Sequence, residues 1–368
     1  MSNGPFEPIR ISLLRCVVNR YLSLLGVGWL NSGVMWMIQL SKSSHIPMVL
    51  VAVWLVIAGT NTPVLAQSPG KSRITVASGV RVRAMPKTTA EEVTKLGIGT
   101  LAQELEQSAN KERIGGAEDF WYRISAPGGK DGWVFGSFTA PFDMNNRVAI
   151  YRRIAAERLK AEQTNFGEMV DLARFLSSVV AEATQPDATA ELELARLTAI
   201  RRAAEALPTD KQEQPPYQAW IKANEALIVY SEPGGQWMIK AAVFWELAKQ
   251  YRALSIGERI AWEAAKLPLP GECEGDPVCH LGHLNMTSGK YLTLYPRGVH
   301  AEEAMKDIIE SLNSGLDLMK SAEPVAAEYK TDALKEVAAL RTAIQSTASP
   351  SKARALELIK SYETYVRR

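Results

Sequence analysis

The hydrophobic period of this chain changes near residue 143, and that change most constrains how the chain can fold. Between residues 73 and 142, apolar and polar residues alternate over short segments separated by glycine, proline and asparagine. This pattern predicts the short strands of a small all-β barrel. After Asn145 the apolar residues recur three or four positions apart, which predicts helices. We therefore predict a multidomain chain, with a β-barrel over residues 72–142 and an all-α region over residues 144–368.

Four segments of the predicted barrel follow a known pattern in their order and spacing. They are residues 80–86, 96–100, 120–124 and 131–134. Together they resemble the bacterial SH3 (SH3b) family, which implies an SH3-like barrel that binds a peptidoglycan peptide or another ligand. The sequence departs from the family pattern at Ala84-Met85, where the family has Ser-Gly. It also departs over residues 107–119, where we expect a longer, charged loop that reshapes the binding groove.

Three aromatic residues of the predicted barrel are candidate ligand contacts: Trp121, Tyr122 and Trp133. Neighbouring residues of a strand point to opposite faces, so Tyr122 is expected to face solvent if Trp121 faces inward. Tyr122 is then the best candidate contact. The alternative for Trp121 and Trp133 is that both rings pack the barrel core, because so small a domain needs large apolar groups. The alternative for Tyr122 is an ordinary half-exposed strand tyrosine.

Six proline-containing segments divide the predicted helical region. These breaks predict eight to ten helices joined by short connections, and no strand-like alternation returns. Residues 237–251, 261–265 and 291–304 resemble tetratricopeptide-like helices without the full repeat pattern. The region is therefore predicted to be either a repeat solenoid or an irregular helical bundle.

Residues 1–66 have the composition of a membrane-targeting leader. An apolar run over residues 48–60 precedes Val64-Leu65-Ala66, which predicts a signal peptide cleaved after Ala66. A second apolar run, over residues 21–40, is explained if translation starts at Met35 or Met37. The alternative is a two-span anchor that begins at Met1 and returns the rest of the chain to the cytosol.

Export predicts a location in the periplasm or cell envelope, with contact to the membrane only through the leader, and the anchored alternative predicts the inner membrane. The whole chain has a net charge of +2, and the leader alone carries +3. The rest of the chain therefore has a net charge of −1. A near-neutral chain lacks the surplus of lysine and arginine that would neutralise several phosphates. We therefore predict no nucleic-acid partner.

Outside the leader the sequence has two cysteines, Cys273 and Cys279. Five residues, including Gly275 and Pro277, lie between them, which predicts a disulfide in an oxidising compartment. An alternative is a zinc site formed by Cys273, Cys279, His280 and His283, although the cysteine spacing is longer than usual. Nucleophilic catalysis by Cys279 is a further alternative, which needs a base such as His300. An acidic trio at Glu272, Glu274 and Asp276 is expected to solvate the loop rather than to bind calcium.

Familiar enzyme motifs are absent from the sequence: there is no phosphate-binding glycine loop, no Gly-x-Ser-x-Gly and no His-Glu-x-x-His. We predict no catalytic residues and no cofactor. The sequence favours a non-catalytic exported adaptor, in which the barrel binds a peptidoglycan peptide or envelope protein and the helices dock a partner. The alternatives are a cell-wall hydrolase or thiol-dependent enzyme centred on the Cys273 to Cys279 loop, and a membrane-anchored scaffold facing the cytosol.

Overall fold

The structure, a computed structural model, describes residues 71–160, 162 and 165–368. The predicted leader, with its cleavage site after Ala66, lies outside the described residues. Among the described helices, none has the length and apolar character needed to cross a membrane.

Nine strands over residues 72–142 form the β-domain. Seven of them make one antiparallel sheet in the order β3-β2-β8-β7-β4-β1-β9, and β5 pairs with β6 in a separate hairpin. The strands are β1 (Ser72–Thr75), β2 (Val80–Arg83), β3 (Glu92–Leu96), β4 (Leu101–Gln107), β5 (Glu112–Ile114), β6 (Ala117–Asp119), β7 (Trp121–Ala126), β8 (Lys130–Phe135) and β9 (Thr139–Phe142).

The core of the β-domain is small and aliphatic. Val80, Val82, Ile124 and Val134 occupy alternate strand positions and are buried together, as period-two alternation predicts. Leu96 on β3 and Ala102 on β4 join the same cluster, although three strands separate β3 from β4 in the sheet. The sheet must therefore curl around its core to bring these residues together.

The charged segment predicted as a loop at residues 107–119 contains the β5–β6 hairpin. Its turn is Gly115-Gly116, and both glycines have positive φ, at 54° and 90°. Two positive φ values in succession suit a tight hairpin turn, and glycine adopts them without steric cost. The local turn chemistry therefore converts the expected loop into a hairpin.

Eleven α-helices lie in the described part of residues 144–368, with short 3-10 segments at Met144–Asn146 and Val180–Glu182. The helices are α1 (Arg147–Leu159), α2 (Phe166–Val179), α3 (Pro186–Glu205), α4 (Tyr217–Asn224), α5 (Ala241–Gln250), α6 (Ser255–Ala265), α7 (Pro277–Met286), α8 (Ser288–Leu294), α9 (Ala301–Leu318), α10 (Ala327–Ser346) and α11 (Lys352–Arg367). The architecture of a β-sheet region followed by helices is as predicted.

A hairpin interrupts the helices, and here the prediction that no strands return after residue 144 is wrong. Strands β10 (Ile228–Ser231) and β11 (Gln236–Ile239) pair in antiparallel fashion. Tyr230 lies opposite Trp237, and their rings pack edge to face at 5.5 Å. Pro233-Gly234-Gly235, in one of the six proline-containing segments expected to separate helices, instead lies in the turn of this hairpin. Cross-strand aromatic packing stabilises the pair.

The β-domain packs against the first helices. Ile74 of β1 belongs to the same buried cluster as the helical core. Phe142 stacks on Tyr151 at 6.2 Å, and Tyr151 packs edge to face on Phe175 at 5.5 Å. A Cβ at Gly99 (φ +80°) would lie 2.1 Å from the Phe175 ring. Strand β1, β9 and the turn at Gly99 are therefore held on α1 and α2.

Candidate ligand-binding cleft

A cavity of about 500 Å³ opens between the β-domain and the first two helices. We call it the barrel cleft. Three aromatic rings, three arginines and one acid give it its chemical character: Trp121, Phe135, Phe138, Arg81, Arg83, Arg158 and Glu168. The rings come from β7, from β8 and from the turn after it, whereas Arg158 and Glu168 come from α1 and α2.

The three rings form a continuous series, which we call the open cluster. Trp121 and Phe135 pack edge to face at 5.6 Å, and Phe135 and Phe138 do so at 6.1 Å. Trp121 is only 3% exposed, and its Nε1 donates a hydrogen bond of 2.9 Å to Glu112 of β5. Phe138 at the other end is 43% exposed. The cluster thus runs from a fixed indole to a ring that is free to contact a ligand.

The charges of the barrel cleft favour an anionic ligand, since three arginines face one acid. Arg81 lies 3.4 Å from Glu92 outside the cleft, and Arg83 donates to the carbonyl oxygen of Ala90 at 2.6 Å. The Arg158 side chain forms no salt bridge or hydrogen bond with a described residue, and the acid it influences electrostatically is its chain neighbour Glu157. A guanidinium beside apolar rings binds a carboxylate well, because its planar donors match the two carboxylate oxygens.

Residues 78–140 match the family model of the bacterial SH3 domain. A search of curated proteins found no match, and neither did a search of solved structures. The match includes strands β2 to β8 and ends within β9, so the open cluster and two arginines of the cleft belong to the SH3 domain. Arg158 and Glu168 lie beyond it. A bacterial SH3 domain suggests a cell-wall or peptide-binding role, and the tetratricopeptide-like assignment of the helices stays a prediction.

Of the three predicted contacts, only Trp121 lines the barrel cleft. Tyr122 lies on the opposite face, as expected, but that face is the core face of the SH3 domain. Its register partner is Val134, it packs on the aliphatic core, and the Arg73 guanidinium lies 3.5 Å from its ring centroid. Tyr122 is half-buried, so it fits the alternative of a half-exposed strand tyrosine rather than a side chain that faces solvent. Its role as a ligand contact stays a prediction.

Trp133 is half-exposed rather than in the core, because it alternates with the buried Gly132 and Val134 on β8. It therefore does not pack the barrel core, and it does not line the cleft either. The sequence reasoning also missed Phe135 and Phe138. The two-residue alternation of β8 could have indicated Phe135, because Phe135 is two residues beyond Trp133 and lies on the same face of the strand.

Cys273 and Cys279 form a disulfide. The His283 ring lies 3.6 Å from the sulfur of Cys273, and the three residues could offer ligand atoms within 4.8 Å of one another. Both sulfurs are bonded to each other, however, and His280 is outside this group. Burial lowers the pKa of His283, with a smaller effect of His280. The four-ligand zinc arrangement is therefore not assembled.

Two other residues considered for chemistry at this loop have structural partners. Asp276 caps the first turn of α7, because its carboxylate accepts a hydrogen bond of 2.8 Å from the Val278 amide. His300 stacks on Trp262 at 4.6 Å instead of approaching Cys279. A thiol-dependent reaction would need reduction of the disulfide and a different base.

Proposed function

We propose that this protein is an exported, non-catalytic adaptor of the cell envelope. In this proposal the barrel cleft binds a carboxylate-bearing peptide of the cell wall or of an envelope protein, and the helical region docks a protein partner. The observation that carries the proposal is the open cluster of three rings beside Arg158, within and at the edge of a matched SH3 domain.

The chemistry of the barrel cleft supports a peptide ligand. Phe138 offers an exposed apolar surface on which a peptide side chain or backbone can pack. Arg83 has its Nη1 engaged by the Ala90 carbonyl, so its guanidinium is held in place for a second acceptor. Arg158 supplies the charge, and Glu168 on the opposite helix disfavours ligands with excess negative charge. A peptide with one or two free carboxylates satisfies all three features.

The test is binding of the full mature chain to purified peptidoglycan sacculi by sedimentation, and to a synthetic wall stem peptide by calorimetry. We expect Phe138→Ala and Arg158→Gln each to weaken binding about tenfold, as the loss of a central aromatic or arginine contact does. The matched control is Leu105→Ala, because Leu105 on β4 is 43% exposed, like Phe138, and lies outside the cleft.

Equal affinity of the Phe138→Ala, Arg158→Gln and unaltered proteins would contradict binding in the barrel cleft. Loss of binding with Tyr122→Phe alone would transfer the ligand to the core-side face. Neither result would bear on the helical region, whose partner is tested separately.

Export is tested by the intact mass of the protein from its native envelope, alkylated with and without prior reduction. A mass that starts at Gln67, with two alkylations only after reduction, supports the proposal. An unprocessed chain with freely alkylated Cys273 and Cys279 would contradict export, and would favour the enzyme and cytosolic-scaffold alternatives instead.

A further inference from the structure

A second cavity, of about 580 Å³, lies in the helical region. None of the residues that line it belongs to the segment that matches the SH3 domain, residues 78–140. Helix α3 forms its floor, and α1 and α6 form its two walls. We call it the α3 groove. Half of the residues that line it are small or aliphatic, namely Ala155, Ala156, Leu159, Leu192, Leu194 and Ala195, and the other half are charged or polar.

The residues of the α3 groove follow helical spacing on both long elements. On α1 they lie between Arg152 and Leu159, and on α3 between Glu191 and Thr198, and both sets include positions three and four residues apart. Seven residues of helix span about 10 Å, so the floor is about two helical turns long. Alanines at the centre let another backbone approach closely, which suits a helix packed between two helices.

The charges at the rim of the α3 groove are unequal. Both of its acids are already paired: Glu191 with Arg152, and Glu263 with Arg201 at 3.6 Å. Arg153 and Arg259 are exposed and form no salt bridge with a described residue. Arg153 interacts electrostatically with Glu157 on its own helix, but at no salt-bridge distance. The groove therefore combines an apolar floor with two arginines on opposite walls that form no salt bridge with a described residue.

We propose that the α3 groove binds an amphipathic helix of a protein partner, with Asp or Glu residues flanking its apolar face. The apolar face would pack on Ala156, Leu159 and Ala195, the accessible apolar residues of the groove. The acidic residues would pair with Arg153 on α1 and Arg259 on α6. The inference rests on the proposed adaptor function and names the face and the partner chemistry of its helical region.

The test places a photo-crosslinking amino acid at Ala156, an exposed residue inside the groove, in the full chain in its native cells. The same amino acid at Tyr329, which is 64% exposed on α10, is the control position. We expect a crosslink from position 156 to a protein segment that forms an acidic amphipathic helix, and none to that segment from position 329.

The mapped segment is then synthesised as a labelled peptide, together with a version that has Lys in place of its Asp and Glu. We expect the Arg153→Glu/Arg259→Glu protein to bind the acidic peptide about tenfold more weakly, and the Lys peptide more tightly than the unaltered protein does. The control is Lys360→Glu, at an exposed residue of α11 outside the groove, which should leave affinity unchanged.

A crosslink to a second copy of this chain, to a segment without acidic residues, or to nothing would overturn the proposal. So would equal peptide affinity of the unaltered and doubly substituted proteins. Binding of the wall peptide in the barrel cleft is measured on the same double variant. If it is retained while the groove test fails, only the groove inference is lost.

Discussion

Trp121 in the SH3 domain and Trp262 in the helical region each pack edge to face on another ring, at 5.6 and 5.1 Å. The open cluster around Trp121 ends in the exposed Phe138. The cluster around Trp262 comprises Tyr291 and His300, and we call it the closed cluster, because Tyr291 is fully buried and His300 stacks on the indole.

The polar groups of the closed cluster satisfy one another. Glu258 accepts hydrogen bonds from the Tyr291 hydroxyl at 2.7 Å and from the Val299 amide at 2.5 Å, and the His300 amide donates to the Tyr291 oxygen. In the barrel cleft beside the open cluster, the Arg158 side chain forms no hydrogen bond or salt bridge with a described residue. Aromatic content alone therefore does not mark a binding site. What distinguishes the proposed barrel cleft is an exposed ring, Phe138, in the same cavity as a guanidinium without a salt bridge to a described residue.

The largest expected difference is in stability. Tyr291→Ala should lower the free energy of unfolding by about 3–5 kcal/mol, because it empties a fully buried site and removes the hydroxyl from Glu258. Phe138→Ala should cost less than about 1 kcal/mol, because its ring is largely exposed. Urea denaturation measures both. Equal losses of unfolding free energy in the two variants would show that the open cluster stabilises the fold as much as the closed cluster does.

Removal of the disulfide should separate the two regions. Cys273→Ala/Cys279→Ala should lower the free energy of unfolding by about 2 kcal/mol, since the bond closes a short loop in the unfolded chain. Peptide affinity of the barrel cleft should not change. Treatment of the unaltered protein with a reductant should reproduce the loss, whereas the double variant should not respond. A weakened cleft would mean that the two regions are coupled.

The tightness of the closed cluster can be tested at Gly298. A Cβ there would lie 2.4 Å from both the Glu258 carboxylate and the Tyr291 hydroxyl, so Gly298→Ala should destabilise the protein by about 1–3 kcal/mol. Gly282→Ala is the control, because nothing lies within 4 Å of its Cβ and alanine favours the helix. Thermal unfolding of both variants decides whether the network tolerates a methyl group.

A smaller effect is expected at alkaline pH. Burial, and then the hydrogen bond to Glu258, raise the pKa of Tyr291 well above its ordinary value near 10. Above pH 10 the Tyr291 hydroxyl loses its proton in the unfolded chain but keeps it in the folded chain. The free energy of unfolding therefore falls as the pH rises. The slope is up to about 1.4 kcal/mol per pH unit for one such group.

Tyr291→Phe should therefore make the loss of stability above pH 10 shallower, as followed by urea denaturation at several pH values. Tyr362→Phe should act in the same direction, because burial also raises the pKa of Tyr362. A variant whose slope above pH 10 equals that of the unaltered protein would show that Tyr291 titrates freely in the folded state.

Much of the local structure follows from the sequence. The alternation of Val80 and Val82 predicts β2, and the spacing of Leu172, Leu176 and Val179 predicts α2. The short separation of Cys273 and Cys279 predicts their disulfide. These features depend on residues that are close together along the chain. They can therefore be predicted from the sequence alone.

Tertiary contacts decided the rest. Which face of β7 is the core depends on its pairing with β8, so Tyr122 lies inward although local alternation permits either face. The β10–β11 hairpin depends on the contact of Tyr230 with Trp237 across a turn that also occurs between helices.

The two proposed binding surfaces depend on still longer separations. Arg158 reaches the barrel cleft from a helix outside the SH3 domain, and Arg153 and Arg259 face one groove from positions about a hundred residues apart. The sequence by itself thus determined the type of each element and the cysteine pair, because these result from local periodicity. Only the packing of distant segments decided which side chains share a cavity, because burial and charge pairing are properties of the assembled surfaces.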